Sequence, residues 1–260
     1  MNNIVVCIPS YRRPKVKTLE YLPNARVYVD ENEYSDYVKA NHKGADIVSC
    51  PTGVQGNVAR IRNYILDEEF ENGADIVCIV DDDMTGVYFW EGLKEHKVED
   101  EDFDAFLYKY SVMAQDMGVY LWGININQDA QNYREYSPFS FLSFIGGPFG
   151  VFINNGGGLR YDEKISLKED YDMTLQHLNK FRRVLRVNKF FYKVKQSEQA
   201  GGCATYRSIK RELEQLELLE RKWGSKIVRR DKNDRSIGSK RANAKQIDYN
   251  PIIKVPILGI

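Results

Sequence analysis

Three consecutive aspartates, Asp81-Asp82-Asp83, follow the apolar run Ile76-Val77-Cys78-Ile79-Val80 with no linker between them. The apolar run favours a buried strand, and folding alone gives little reason for carboxylates at its end. If the backbone stays extended, side chains alternate sides, so Asp81 and Asp83 point the same way and share one cation while Asp82 faces elsewhere. Oxygen ligands of this kind suit a hard divalent ion, Mg2+ or Mn2+, which often completes its shell with substrate phosphates. The competing reading is a solvated turn or a helix N-cap, where Asp is common for local reasons. A second acidic cluster, Lys168-Glu169-Asp170-Tyr171-Asp172, opens a stretch in which Tyr171, Leu175 and Leu178 recur at helical spacing. Acidic residues are favoured at a helix start by the dipole alone.

The elements that must position these carboxylates alternate along the chain. Residues 4 to 8 read as a short apolar strand closed by Pro9-Ser10-Tyr11, residues 25 to 29 as a second ending at Asp30, and 46 to 49 as a third ending at Cys50-Pro51. Between 56 and 70 the period becomes helical, with Val58, Ile61, Ile65 and Leu66 near one face and Asn57 as the N-cap. The strand 76 to 80 follows. Phe103, Phe106, Leu107, Tyr110, Met113 and Met117 then mark an amphipathic helix, before strands near 119 to 126 and 149 to 153. Such alternation predicts an α/β fold with a mostly parallel sheet flanked by helices. In open parallel sheets ligands bind outside the carboxyl ends of the strands, so Pro9, Ser10, Tyr11, Arg12, Asp30 and the Asp triplet share one rim. Gly146-Gly147-Pro148 and the segment 154 to 158 flank a later strand, where glycines either turn tightly or let a ligand approach the backbone. Ile209, Leu213, Leu216 and Leu219 define a helix over 205 to 223 that ends at Gly224. The apolar stretch 252 to 260 is expected to fold back as an edge strand or to pack on a partner.

At 260 residues the chain suffices for one large α/β domain with a small appendage. Its 43% hydrophobic content is that of a soluble globular protein, which argues against disorder of the whole chain. No apolar run approaches the ~20 residues of a membrane span, and Met1-Asn2-Asn3 lacks the basic start of a signal peptide, so a cytoplasmic location is expected. Cys7, Cys50 and Cys78 sit in apolar runs, with Cys203 far away, so neither zinc spacing nor a disulfide framework is present and reduced, buried thiols are expected. The zero net charge hides an asymmetry: residues 180 to 245 hold about 20 Lys/Arg against about 7 Asp/Glu. That part is a candidate surface for a polyanion, the alternative being a solvated charged face.

A first strand running into Pro9-Ser10-Tyr11-Arg12, an Asp30 ending the second, Gly56-Asn57-Val58-Ala59-Arg60 opening a helix, and Val80-Asp81-Asp82-Asp83 together resemble glycosyltransferases of the Rossmann-like GT-A fold. The resemblance implies that Pro9, Ser10, Tyr11, Arg12 and Asp30 hold the base and ribose of a UDP-sugar donor. Asn57 and Arg60 would lie near the nucleotide, or Arg60 near the first Asp of the triplet. An Asp-x-Asp motif would place Mn2+ or Mg2+ on Asp83 and Asp81, with Asp81 or Asp82 toward the ribose. By the same resemblance Asp170, with Glu169 beside it, supplies the base that deprotonates the acceptor in an inverting displacement, worth ~10²–10⁴ in rate. Residues 169 to 176, Arg186-Val187-Asn188-Lys189, Gln199-Ala200-Gly201-Gly202-Cys203 and Lys222-Trp223-Gly224-Ser225-Lys226 are similar to the phage-type TET/JBP-associated glycosyltransferases. Those enzymes are implicated in adding sugar to 5-hydroxymethylcytosine in DNA, and the likeness covers most of residues 1 to 232.

The implied acceptor is therefore DNA containing 5-hydroxymethylcytosine, met in a host cytoplasm if the chain is phage-encoded. Lys226, Arg229 and Arg230 would track its phosphates. An extruded base would be stacked by an aromatic such as Tyr136, Phe139, Phe141 or Phe149, although such residues more often fill a core. Residues 1 to 204 are expected to form the catalytic domain, with 205 to 260 a basic, helical C-terminal extension packed on it. Many metal-dependent GT-A enzymes add a late His ligand, whereas this chain has only His42, His96 and His177. Gln196, Ser197, water or diphosphate would complete the shell, and His177 reads as a helix-surface residue. The rivals are the same chemistry on a glycan or protein, a nucleotidyltransferase, whose Gly-rich loop after the first strand is missing here, and a DNA-binding protein without catalysis.

Overall fold

The computed structural model describes residues 2–130, 133–155, 158–194, 202–205, 207–230 and 250–257. The early apolar runs form β1 (Ile4–Pro9), β2 (Arg26–Asp30), β3 (Ile47–Cys50) and β4 (Ile76–Val80), which pair in parallel in the order β3-β2-β1-β4. Between them lie α1 (Tyr34–Ala40) and α2 (Val58–Glu71). The Asn57 side chain caps α2 by accepting from the Ala59 backbone N–H at 3.0 Å. A hairpin of β5 (Met84–Glu91) and β6 (Lys94–Lys97), which the sequence reading left unassigned, precedes α3 (Asp100–Asp116). The chain continues through β7 (Leu121–Asn125), β8 (Phe139–Ser140), β9 (Phe149–Ile153), α4 (Glu169–Phe181), β10 (Leu185–Val194) and α5 (Ile209–Trp223).

One sheet takes in ten strands, running β3-β2-β1-β4-β9-β7-β10-β5-β6 with β8 also on β10. The parallel order expected holds through β1 to β4 and again between β7 and β10. It is interrupted by β9, which runs antiparallel to both β4 and β7. That reversal matters for the site: the segment entering β9 lies at the rim where β1 to β4 deliver their carboxyl ends. The last segment does fold back, as β12 (Ile252–Ile253) pairs antiparallel with β11 (Val228–Arg229).

Strand alternation divides the core between the two faces of the sheet. Ile76, Cys78 and Val80 of β4 pack with Phe103, Phe106 and Trp122 on the α3 side. Val77 and Ile79 pack with Ile61, Ile65 and Leu66 of α2 and Met173 of α4 on the other. Phe149 is fully buried in the first of these layers, with ring centroids 5.8 Å from Trp122 and 6.4 Å from Phe103. It therefore cannot stack on a base, because its faces are already covered by core aromatics. Cys7, Cys50 and Cys78 are free, buried thiols. Among the described residues no helix is long and apolar enough to cross a membrane.

Candidate active site

The carboxyl ends of β1 and β4, the loop before α2, the segment entering β9 and the start of α4 surround one open cleft of about 400 Å³. The aspartate triplet lies in the turn between β4 and β5 and does not extend β4, so the alternation expected of an extended chain does not apply, and all three carboxylates line the cleft. Thr18, fully buried, fixes that turn: its hydroxyl donates to Asp81 O at 2.6 Å and accepts from the Met84 N–H at 2.9 Å. Asp82 is held by the Ser10 hydroxyl at 2.5 Å and by the Arg13 guanidinium. Asp83 stands 3.8 Å from the same guanidinium with a side chain 13% exposed. Burial, reinforced by Asp81 and Asp82, pushes its carboxyl up to about 7.

Across the cleft, Glu169 and Asp170 form the first turn of α4. Arg62, on α2, bridges the two walls: it donates to Asp81 at 3.0 Å, to Glu169 at 2.9 Å and to the Gly147 carbonyl at 3.0 Å. Its side chain is only 3% exposed. Asp170 accepts from the backbone N–H groups of Gly147 at 3.1 Å and Tyr171 at 2.9 Å. Gly147 has to lack a side chain, since a Cβ there would stand 2.9 Å from the Arg62 guanidinium and 3.4 Å from Asp170. Burial raises the carboxyls of both Glu169 and Asp170, with Arg62 opposing. Beside this pair the cleft turns apolar. A Cβ on Gly146 would meet Ile126 at 2.6 Å, the Tyr192 hydroxyl at 2.9 Å and Phe144 at 3.8 Å, and Phe144 stacks on Tyr171 with centroids 4.0 Å apart.

The cleft thus gathers five carboxylates, Asp81, Asp82, Asp83, Glu169 and Asp170, against the cations of Arg13, Arg62, Lys168 and Arg207, of which Lys168 and Arg207 are paired with Glu212. An excess of buried negative charge that drives carboxyl values up is what a bound cation would neutralise. The donor set, all oxygen, fits a hard divalent ion; Asp83, 3.8 Å from Arg13, and Asp81, which shares Arg62 with Glu169, are less tightly held than Asp82 is by Ser10 and Arg13. Behind the site, α5 braces the start of α4. Lys168 donates to Glu212 at 2.7 Å, both side chains being 2% exposed. Fully buried Asp172 accepts from Trp223 Nε1 at 2.7 Å and from Lys222 at 2.9 Å.

No protein-family model and no curated protein matches the chain. Among solved structures, S. aureus TarS 1-349 in complex with UDP-GlcNAc is similar with a TM-score of 0.50 at 14% identity, over 84% of this chain and 65% of that one. The chain has the GT-A fold. Glucosyl-3-phosphoglycerate synthase from Mycobacterium tuberculosis, solved with Mg2+ and uridine diphosphate, is similar with a TM-score of 0.48 at 11% identity, over 85% and 79% of the two chains. The chain spans 59% of S. aureus TarS 1-349 in another structure of that protein, less than two thirds of its length.

Within the GT-A frame, Pro9, Ser10, Tyr11, Asn57, the Asp triplet, Glu169 and Asp170 come together at the cleft as the sequence reading grouped them. Four residues need correction. Arg60 turns outward, with Nε on the Val54 carbonyl at 3.2 Å and Glu163 at 3.9 Å, and Arg62 takes the place beside Asp81. Two positions along a helix differ by about 200°, so 60 and 62 face opposite ways. Arg12, exposed at φ 54°, lies over the Tyr11 ring outside the cleft, and the neighbouring Arg13 enters it. Asp30 is 9% exposed and turned into Asn32, accepting from its backbone at 3.0 Å and its amide at 2.8 Å. His177 lies on the buried face of α4 and not on its surface: it is 4% exposed beside Phe152 and Phe181.

At the C-terminal end Lys226, Arg229 and Arg230 are exposed. Arg230 is already paired with Glu220 through two bonds of 2.8 Å, and Arg229 donates to the Lys226 carbonyl at 3.1 Å. Gln196 and Ser197, and the basic stretch from 231 to 245, lie outside the described residues. Tyr136 is 86% exposed, whereas Phe139 and Phe141 are half-buried. Sequence reasoning missed Arg13 and Arg62. Arg62 had a signal: it falls on the same helical stripe as Val58, Ile61, Ile65 and Leu66, a charge on an apolar face.

Proposed function

We infer that the chain is a divalent-metal-dependent glycosyltransferase that moves a sugar from a UDP-sugar to the hydroxyl of 5-hydroxymethylcytosine in DNA, with inversion. The observation that carries the transfer chemistry is Arg62, which ties Asp81 at 3.0 Å to Glu169 at 2.9 Å. It brings the carboxylates of the donor side and of the acceptor side to one cleft, within reach of a single guanidinium. Asp83 and Asp81 would hold the cation, which when bound neutralises the donor diphosphate. Asp170, oriented by the Gly147 and Tyr171 N–H groups, takes the proton from the acceptor hydroxyl. The acceptor oxygen forms its bond to the anomeric carbon as the bond to the diphosphate oxygen breaks, and UDP departs with that electron pair. A carboxyl raised by burial is a stronger base than an ordinary one, which suits this task. Ile126, Phe144 and Tyr171 give the acceptor side an apolar wall for a ring.

Support for the DNA acceptor comes from the sequence likeness and from the basic composition of residues 180 to 245. Donor support comes from the fold shared with a protein solved with UDP-GlcNAc. A glycan or protein acceptor is the second reading, favoured by the pairing of Arg230 with Glu220 and Glu217, which leaves that cation less available to phosphate. The deciding experiment incubates the protein with Mn2+, a panel of UDP-sugars, and duplexes containing cytosine or 5-hydroxymethylcytosine, followed by nucleoside mass analysis. A hexose added only to the hydroxymethylated duplex is expected. UDP-sugar turnover on a glycan with no mass gain on either duplex would reject the DNA acceptor.

A further inference from the structure

We propose that Gln55 reads the donor's nucleobase, its amide oxygen accepting the N3–H of uracil. The assignment rests on the nucleotide-sugar reading of the cleft and names the residue that decides which nucleotide enters. Gln55 precedes α2, is only 6% exposed, and lines the cleft with Pro9, Tyr11 and Gly56. Its Nε2 donates to the Tyr28 carbonyl of β2 at 2.9 Å. That bond sets the orientation of the amide, because turning it over would bring two oxygens together. Oε1 has no hydrogen-bond partner among the described residues. Oε1 is not one of the fully buried unpartnered atoms, so it is reached from the open cleft, and an acceptor fixed in orientation there is suited to a donor that arrives with the ligand in place of water.

The neighbours fit a flat base. The Tyr11 hydroxyl comes within 3.9 Å of where a Cβ on Gly56 would stand, which puts the aromatic ring, Pro9 and Gln55 at one end of the cleft. Among the described residues the cations lining the cleft are held elsewhere, Arg13 by Asp82, Arg62 by Asp81 and Glu169, and Lys168 and Arg207 by Glu212, while Arg60 turns to Glu163. Asp30, expected for this task, does not line the cleft and spends Oδ1 on Asn32. An oxygen fixed as acceptor matches uracil, whose N3 carries hydrogen. It opposes cytosine, whose N3 offers a lone pair in the same place.

Calorimetric titration of the full chain in Mn2+ with UDP, N3-methyluridine diphosphate, CDP and GDP tests the assignment without relying on turnover. Wild type is expected to bind UDP at least ~10-fold tighter than the N3-methyl analogue and than CDP, the order of one hydrogen bond, while GDP, whose N1–H can also donate to this oxygen, serves only the donor reading. Gln55→Met, which keeps length and loses the acceptor, should bring UDP down to the level of the N3-methyl analogue. Equal wild-type affinity for UDP and its N3-methyl analogue would overturn the proposal without any variant, as would CDP matching UDP, or Gln55→Met keeping the preference. In those cases UDP still binds and the donor reading stands. Failure of wild type to bind any of the four nucleotides would remove the donor reading, and this assignment with it.

Discussion

Asp83→Asn should stabilise the metal-free protein, and should do so only above acidic pH. Burial and the two neighbouring aspartates raise the Asp83 carboxyl from 3.8 to about 7. A carboxyl raised in the folded state contributes stability that is complete below its unfolded value near 4 and is lost as pH rises through about 7. At pH 8 wild type therefore carries a penalty whose ceiling is about 4 kcal/mol. With the side chain 13% exposed at an open cleft, solvent screening brings the expected value to about 2 kcal/mol. Asparagine imitates the protonated carboxyl, so the variant lacks the penalty. Urea unfolding in EDTA should show the variant level with wild type near pH 4 and about 2 kcal/mol more stable at pH 8, or about 4–8 °C in melting temperature. Buried His177, lowered to about 4, works in the opposite sense, since its contribution is lost as pH falls from about 6.5 toward 4. It is common to both proteins and cancels in the difference. Adding Mn2+ with UDP should reverse the order by stabilising wild type alone. A variant no more stable than wild type at pH 8 in EDTA would refute the charge-excess argument for the cation.

Three further outcomes are expected. Asp170→Asn should lower turnover at least ~10²-fold while leaving donor affinity intact, measured by steady-state kinetics beside titration with UDP; if Glu169→Gln is the crippled variant and Asp170→Asn is not, the base is Glu169. Arg62→Met should destabilise the fold by about 3–5 kcal/mol in urea unfolding at pH 8, because Asp81 and Glu169 lose a buried counterion, and a loss below 1 kcal/mol would mean water already satisfies them. Arg229→Glu with Arg230→Glu should weaken duplex binding and flatten its dependence on salt while sparing UDP, whereas a salt-independent interaction would argue against a phosphate-tracking face.

The apolar strands, the two helices α2 and α3, and the rim that collects Pro9, Ser10, Tyr11 and the Asp triplet were legible because period and strand-end position are local properties of sequence. Strand direction is not local. Nothing in Phe149–Ile153 signals that β9 runs antiparallel, and that reversal is what brings Gly146 and Gly147 to the carboxylates. The β5–β6 hairpin pairs locally, but β5 is held in the sheet by β10 from far along the chain, which local sequence does not show. Motif likeness points to Arg60, whereas helical phase favours Arg62, and strand-end position puts Arg12 on the rim, where a left-handed backbone gives Arg13 the inward place. Asp30 ends β2 as read, but its turn into Asn32 depends on a loop whose course no pattern announced.

The brace between α4 and α5 ties the evolution of two stretches of sequence together. Lys168 adjoins the proposed base pair, yet its counterion Glu212 lies 44 residues on, and Asp172 depends on Trp223, 51 residues on. A change at 168 or 172 that strands a buried charge will survive only with a compensating change on the last helix. Residues 168 and 212, and 172 and 223, should therefore co-vary among descendants of this chain, while the rest of α5's solvent face drifts. The C-terminal helix is thus inherited with the catalytic turn and cannot be exchanged freely for another module.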